Sequence, residues 1–276
     1  IATRAASALP GVRAVLTASD YVADGLNPIP NVPNPAHITR VGEAAFSHKD
    51  GAPVFEGEHW PLARGKVRHV GEPVAFVVAD SAVIAEEAAE LVVVAYEALE
   101  PVTDVRRAVT DGAPRLWDNA PGNICFDVEL GEAAAVDAAM AEAKHIVELD
   151  LTNNRVTAVS MEPRAATGLY DETSGRFTLI AGSQGSHRLK DQLVALLGCA
   201  PEYVRVVCED VGGGYGMRNW LFAEFALVVW AAQRLRRPVR WVGTRSESFL
   251  SDMQARDLAT TARLALDADG RFLALD

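Results

Sequence analysis

Four glycines, at positions 212, 213, 214 and 216, fall within five residues of the stretch DVGGGYGMR that runs from Asp210 to Arg218. The apolar run YVRVVC precedes them. The segment that follows carries Leu221, Phe225, Val228, Val229 and Ala232 at helical spacing until Pro238 stops it. The pattern predicts a strand, a glycine turn and a helix over about Asn219 to Arg236. Glycine accepts positive φ and lets other atoms approach the main chain closely. Such a cluster therefore marks either a sharp reversal or a ligand held against N–H groups. Spacing excludes two phosphate loops: a GxGxxG fingerprint needs glycine where Met217 stands, and a P-loop needs Gly-Lys-Ser/Thr. Turn and cradle both stay open, with the cradle favoured by N–H groups at a helix start that suit an oxo or phosphate group.

The stretch AGSQGSHR, from Ala181 to Arg188, has the same build. A strand, RFTLIAG, leads into it. The helical run RLKDQLVALLG leaves it, with Leu189, Leu193 and Leu196 or Leu197 on one face and Gly198 as the residue that ends the helix. Gln184 either donates its amide to an oxo ligand or is solvated while Ser186 caps the helix. Two such turns in one domain favour a shared site.

Elsewhere the chain mixes strands and helices. VRAVLT reads as a strand, and the Pro- and Asn-rich stretch from Asn27 to Pro35 as an extended loop. EPVAFVVAD predicts a buried strand, SAVIAEEAAEL a helix capped by Asp80 or Ser81, and VVVAYEALEPV a return to strand, giving a β-helix-β unit ended by Pro101. Polar sequence between Asp104 and Asn123 marks a domain boundary. Beyond it come a helix from Ala133 to Lys144, the strand HIVELDLTN, a hairpin of ATGLYD and RFTLIAG around DETSG, and a last hairpin of ATTARLALD and RFLALD. The fold class is α+β. The chain starts without methionine and stops within a hairpin, which predicts a segment of a longer protein.

Composition removes several functions. The net charge of −11 argues against a nucleic-acid partner, and no apolar run approaches the ~20 residues of a membrane span. The densest basic stretch, Arg234 to Arg240, fits a helix end and the strand after it. Cys125, Cys199 and Cys208 lack cluster-ligand spacing, and the histidines at 37, 48, 59, 69 and 145 show no HExxH pairing, so no protein-ligated metal is expected. A reducing, cytoplasmic location is the simplest fit. His187 has no Ser or Cys nucleophile signature beside it. Glu162, in MEPRAA, reads either as a catalytic carboxylate or as the partner of an arginine in a structural salt bridge.

Together, ALPGVRAVLTASD, VGEPVAFVVADSAVIAEEAAELVVVAYEALEPV, SMEPRAA, SQGSHRLKDQLVALLG, VRVVCEDVGGGYGMR and RPVRWVGTRSESFLSDMQARD carry a resemblance across nearly the whole chain. The chain resembles the molybdenum-binding large subunit of the xanthine dehydrogenase and aldehyde oxidase family, especially its bacterial carbon monoxide dehydrogenase-like branch. The resemblance implies an α/β hammerhead domain over residues 1–108, a linker over 109–123, and over 124–276 the first part of a molybdopterin-binding α+β domain.

It further implies a molybdopterin in its cytosine dinucleotide form, with molybdenum held by the pterin dithiolene. The implied cofactor-binding residues are Gln184, Gly185, Gly213, Gly214, Tyr215, Gly216 and Arg218. Gln184 would bond the apical oxo group, and the Tyr215 N–H would lie near an oxo ligand; the family more often has phenylalanine at that position. In such enzymes a glutamate deprotonates a molybdenum-bound hydroxyl, which attacks carbon while hydride passes to the sulfido ligand. That base is expected beyond Asp276, so the segment alone should be inactive.

An aldehyde, an N-heterocycle or carbon monoxide would be the substrate. Arg218 stands for the usual lysine, and Asn219 for the glutamate of purine-oxidising relatives, which disfavours xanthine. The implied partners are an iron–sulfur small subunit with 2Fe-2S clusters and an FAD-binding medium subunit, in a dimer of heterotrimers. A non-enzymatic structural or subunit-contact module is the alternative.

Overall fold

Local pattern sets most of the elements, and strand pairing sets the rest. The computed structural model describes residues 1–31, 48–52 and 54–276. In chain order, α1 (Arg4–Ser7), β1 (Val12–Thr17), α2 (Ala18–Ala23), β2 (Ala75–Ala79) and α3 (Ala82–Glu90) come first. Next are α4 (Val105–Ala108), α5 (Ala133–Glu142), β3 (His145–Asn153), the two-residue β4 (Val156–Thr157), β5 (Ala165–Asp171) and β6 (Arg176–Ala181). The remainder is α6 (Ser186–Leu197), β7 (Val204–Val207), α7 (Ala223–Leu235), β8 (Val239–Val242), α8 (Arg245–Ser251), β9 (Gln254–Ala255), β10 (Leu258–Leu266) and β11 (Phe272–Leu275).

Two compact units result. One holds Ile1–Asn31, Glu58–Ala98 and Thr157–Met253; the other holds residues 48–52 and 54–57, Leu99–Val156 and Gln254–Asp276. Each takes chain from both sides of residues 109–123. The part of the Asn27–Pro35 loop beyond Asn31, and His37, lie outside the described residues.

In the first unit, β1 and β2 form an antiparallel pair with Thr17 opposite Ala75. The Ser81 hydroxyl caps α3 by accepting the Ile84 N–H at 3.3 Å. A four-stranded sheet runs in the order β7-β6-β5-β8. Its β5–β6 hairpin places Asp171 opposite Arg176, and the Asp171 carboxylate closes the turn by accepting from the Thr173 N–H and the Ser174 hydroxyl. β7 lies parallel to β6 because α6 carries the chain across between them. Leu189, Leu193 and Leu196 of α6 are wholly buried, and left-handed Gly198 ends the helix.

The core of this unit is α7, buried without interruption from Ala223 to Ala232 and packed on the sheet. Trp230 sits edge-on to Tyr21 at 5.0 Å and donates its indole N–H to Asp24 at 2.8 Å.

In the second unit, β3, β10 and β11 form an antiparallel sheet in the order β11-β10-β3, with α5 packed against β11. All nine residues of β3 are exposed. The stretch expected to be an irregular boundary has local order. Asp104 caps α4, and the Asn123 side chain ties Leu116 N–H to the carbonyls of Ala108 and Pro114.

Two sequence expectations need correction. VVVAYEALEPV is not a strand: only Val93 is bridged, to Ala2, while Tyr96 and Leu99 stay exposed. β propensity without a continuous ladder partner does not make a strand. The helix expected from about Asn219 begins at Ala223. Met217–Asn219 form a single tight turn, and Trp220 and Phe222 are extended, because the side-chain Oε1 of buried Gln192 captures the Leu221 N–H at 2.9 Å.

Candidate functional site

Parallel neighbours send their chains out at the same end, so the loops that follow β6 and β7 emerge side by side. In parallel sheets that end is where ligands collect. The first loop is Gly182–Gly185; the second runs from Cys208 to Gly216 and ends in the Met217–Asn219 turn.

Short hydrogen bonds join the loops. The Gln184 N–H donates to the Arg218 carbonyl at 2.9 Å, and the Ser183 hydroxyl donates to the same oxygen at 3.1 Å. The Gln184 Oε1 accepts the Gly216 N–H at 2.8 Å. Ser183 main chain also exchanges weak bonds with the Cys208 thiol, 3.3 and 3.2 Å long. Arg188, in the first turn of α6, stacks over the Trp220 ring at 4.8 Å.

The glycines are there because the partners come too close for a side chain. A Cβ on Gly214 would stand 2.4 Å from Gln184 Cγ, and one on Gly212 would stand 2.4 Å from Glu162 Cβ. Gly213 and Gly216 hold φ of +111° and +89°. Tyr215 takes φ of 50°, unusual for an aromatic residue, and leaves its ring exposed.

The N–H groups of Gly213, Gly214 and Tyr215 make no hydrogen bond among the described residues. Because Oε1 of Gln184 is engaged, the free end of that side chain is its Nε2 donor.

Electrostatics fix the second loop from behind. Arg218 is buried and clasps Glu162 twice, at the carboxylate and at the main-chain carbonyl. The same Glu162 oxygen accepts the Gly212 N–H at 2.7 Å. Burial alone would push the Glu162 carboxyl up, but the Arg218 guanidinium and the Gly212 N–H outweigh it and hold the carboxyl below its ordinary range. Ser160 donates to the Gly213 carbonyl at 3.2 Å, and Arg245 holds the carbonyls of Ser160 and Met161, each at 2.8 Å.

A second buried cation lies two residues beyond Glu162. Arg164 pairs with Asp252 and, at 2.9 Å, with Glu224, and its guanidinium rests on the Phe222 ring at 4.2 Å.

The residues singled out in sequence thus divide. Gln184, Gly213, Gly214, Tyr215 and Gly216 come together at the joined turns, where the Gly216 N–H is spent on Gln184 Oε1 and the other four leave donors free. Gly185 turns inward: its N–H is taken by Ser183 Oγ at 3.1 Å, and it is the residue before the first turn of α6. Ser186 is therefore not the cap. Arg218 contributes its carbonyl to the Gln184 turn and its guanidinium to Glu162, which gives Glu162 the structural ion pair. His187 is exposed at the start of α6. Ser160, Ser183 and the Arg164 cluster were not legible in the sequence; the one available signal was Glu224, a lone carboxylate in the otherwise apolar stretch from Ala223 to Ala232.

Such an arrangement, main-chain N–H groups and one carboxamide on two hydrogen-bonded glycine turns, is of the class that suits an oxygen-rich group. The comparisons sharpen this class. Residues 116–276 match the molybdopterin cofactor-binding domain, and residues 35–100 match the a/b hammerhead domain of aldehyde oxidase and xanthine dehydrogenase. The chain belongs to this family of molybdenum hydroxylase large subunits.

Similar proteins include the nicotine 6-hydroxylase large subunit of Paenarthrobacter nicotinovorans, 34% identical over 277 residues that cover 99% of this chain and 31% of that protein. The carbon monoxide dehydrogenase large chain of Afipia carboxidovorans is 31% identical, covering 100% of this chain and 33% of its own. The crystal structure of quinoline 2-oxidoreductase from Pseudomonas putida 86 superposes with a TM-score of 0.84 at 32% identity, over 99% of this chain and 32% of the other. The chain spans about a third of the length of these relatives.

Proposed function

We propose that the chain is part of the large subunit of a molybdenum hydroxylase and supplies the oxo-facing wall of its cofactor pocket. The observation that carries this reading is the Gln184 carboxamide. Its oxygen is fixed by the Gly216 N–H, so its Nε2 is left to donate beside the free N–H groups of Gly213, Gly214 and Tyr215. These groups fit a molybdopterin, whose oxo ligands need donors and whose metal needs no side-chain ligand. When bound, that cofactor supplies the two-electron redox centre for hydroxylating an electrophilic carbon. This chain's part is to orient the centre through Gln184 and the glycine loop, whose glycines let Glu162 and Gln184 pack directly against the main chain.

On this reading the cofactor is the cytosine dinucleotide form, residues 1–108 are the hammerhead domain, and residues 124–276 begin the cofactor domain. Small iron–sulfur and medium FAD subunits accept the electrons in a reducing, cytoplasmic setting. The substrate is an aldehyde, an N-heterocycle or carbon monoxide. Two of the similar proteins are named for N-heterocycles, nicotine and quinoline, which puts that class first.

The test is molybdenum and pterin content of the full-length protein, followed by anaerobic reduction with nicotine, quinoline, an aldehyde and carbon monoxide in turn. About one molybdenum per large subunit, lowered by Gln184→Ala, supports the reading. A folded full-length protein without molybdenum or pterin would favour a structural module.

A further inference from the structure

Glu162 belongs to neither loop, yet it bonds both ends of the second one and, through Arg218, reaches the first. Its Oε2 takes the Gly212 N–H at the start of the glycine loop, and its carboxylate and carbonyl take the Arg218 guanidinium at the end. Arg218 passes the connection on, because its carbonyl receives the Gln184 N–H and the Ser183 hydroxyl. Gln184 then returns to the glycine loop through the Gly216 N–H. The contacts close a ring: Glu162, Gly212, the glycine loop, Gly216, Gln184, Arg218 and Glu162 again.

We propose that Glu162 is a positioning residue that locks the two turns into one donor set, so that Gln184 Nε2 and the N–H groups from Gly213 to Tyr215 address a single ligand. The proposal rests on the functional reading above.

Charge, not just shape, makes the lock. Arg218 is 2% exposed, and its Nε has no partner. Among the described residues Glu162 is the anion that balances it. A buried cation without its anion would have to move, and its carbonyl, which holds the Gln184 turn, would move with it. Glu162 itself remains partly exposed, so its carboxylate keeps some hydration while serving as the anchor.

The experiment compares wild type, Glu162→Gln and Glu162→Asp in the full-length holoenzyme. Hydrogen–deuterium exchange is followed in peptides covering 182–188 and 210–219, and the Mo(V) paramagnetic resonance signal is recorded after partial reduction. Glu162→Gln should speed exchange about tenfold or more in both peptides, the scale of one lost charged hydrogen bond, and should shift the Mo(V) signal. Glu162→Asp, which keeps the charge on a shorter arm, should fall between.

Faster exchange confined to 210–219, or an unchanged signal with a uniform loss of stability, overturns the proposal and leaves an ordinary ion pair. If wild type carries no molybdenum, the functional reading fails, while the exchange data still decide whether the turns are coupled. Should Glu162→Gln not accumulate, Arg218→Lys serves the same readouts, because one ammonium cannot reach carboxylate and carbonyl in the guanidinium's two-pronged way. Wild-type exchange in both peptides of that variant would equally refute the lock.

Discussion

Gly168, in the middle of β5, packs directly against the main chain of the buried helix α7. A Cβ there would lie 2.2 Å from the Val228 carbonyl oxygen, 2.4 Å from the Val228 carbonyl carbon and 2.6 Å from the Val229 nitrogen. All three are main-chain atoms, so no side-chain rotation relieves the overlap. Normal contact is about 3.5 Å, so Gly168→Ala must separate helix from strand by roughly 1 Å.

Overpacking of this kind costs about 1–3 kcal/mol. The gap it opens elsewhere along α7, buried from Ala223 to Ala232, forfeits about a quarter to a half of each dispersion contact it stretches. Alanine's better backbone entropy returns about 0.5–1 kcal/mol. The net expectation is a loss of about 2 kcal/mol, in the upper part of the range because all three overlapping atoms are main chain.

Urea titration of the full-length protein, followed by tryptophan fluorescence, reads it, because Trp60, Trp220, Trp230 and Trp241 all lie in the same unit as β5. Gly185→Ala is the control. Its φ of −173° is ordinary and no atom lies within 4 Å of the new Cβ, so its stability should stay within about 0.5 kcal/mol of wild type. A Gly168→Ala loss below about 1 kcal/mol would show that α7 does not rest on this contact.

Three other outcomes follow from the same geometry. Arg164→Ala strands the buried carboxylates of Asp252 and Glu224 and should cost about 3–5 kcal/mol; adding Asp252→Asn and Glu224→Gln should recover part of the loss in the same titration, and no recovery would mean that charge was not the cause. Glu162 has a folded pKa below its ordinary 4.5, so its ion pair stabilises fully above that value and is lost as pH falls through the lowered one. The gap in urea midpoint between wild type and Glu162→Gln should therefore shrink on acidification below about pH 4.5, and a gap that widens would reverse the sign of the argument. Gly214→Ala drives a Cβ to 2.4 Å from Gln184 Cγ. Because that exposed side chain can swing aside, stability should fall by only about 1 kcal/mol, while pterin content of the full-length protein drops; normal content would remove the cradle role from Gln184.

What the sequence made legible was whatever is decided within one turn or one strand. The α6 face of Leu189, Leu193 and Leu196, its end at Gly198 and the DETSG hairpin depend on neighbours a few residues away, and all three match the structure. The glycine loop was legible to the same depth: its spacing excluded two phosphate loops and left turn or cradle. The choice between them lay in contacts with residues far along the chain.

Leu221 shows the limit on the structural side. It sits at helical spacing, yet it precedes the helix, because the Gln192 side chain, 29 residues earlier, takes its N–H. Glu162 shows it on the functional side. Nothing within MEPRAA says that its partners are Gly212, 50 residues on, and Arg218, 56 residues on. Local pattern therefore builds each turn separately, whereas ionic contacts between distant segments turn two ordinary glycine turns into a single surface. It follows that substitutions at the glycines and at Glu162 should affect the same peptides even though they are far apart in sequence, whereas a substitution in the α6 face should loosen the core and leave the spacing of the two turns to its ionic ring.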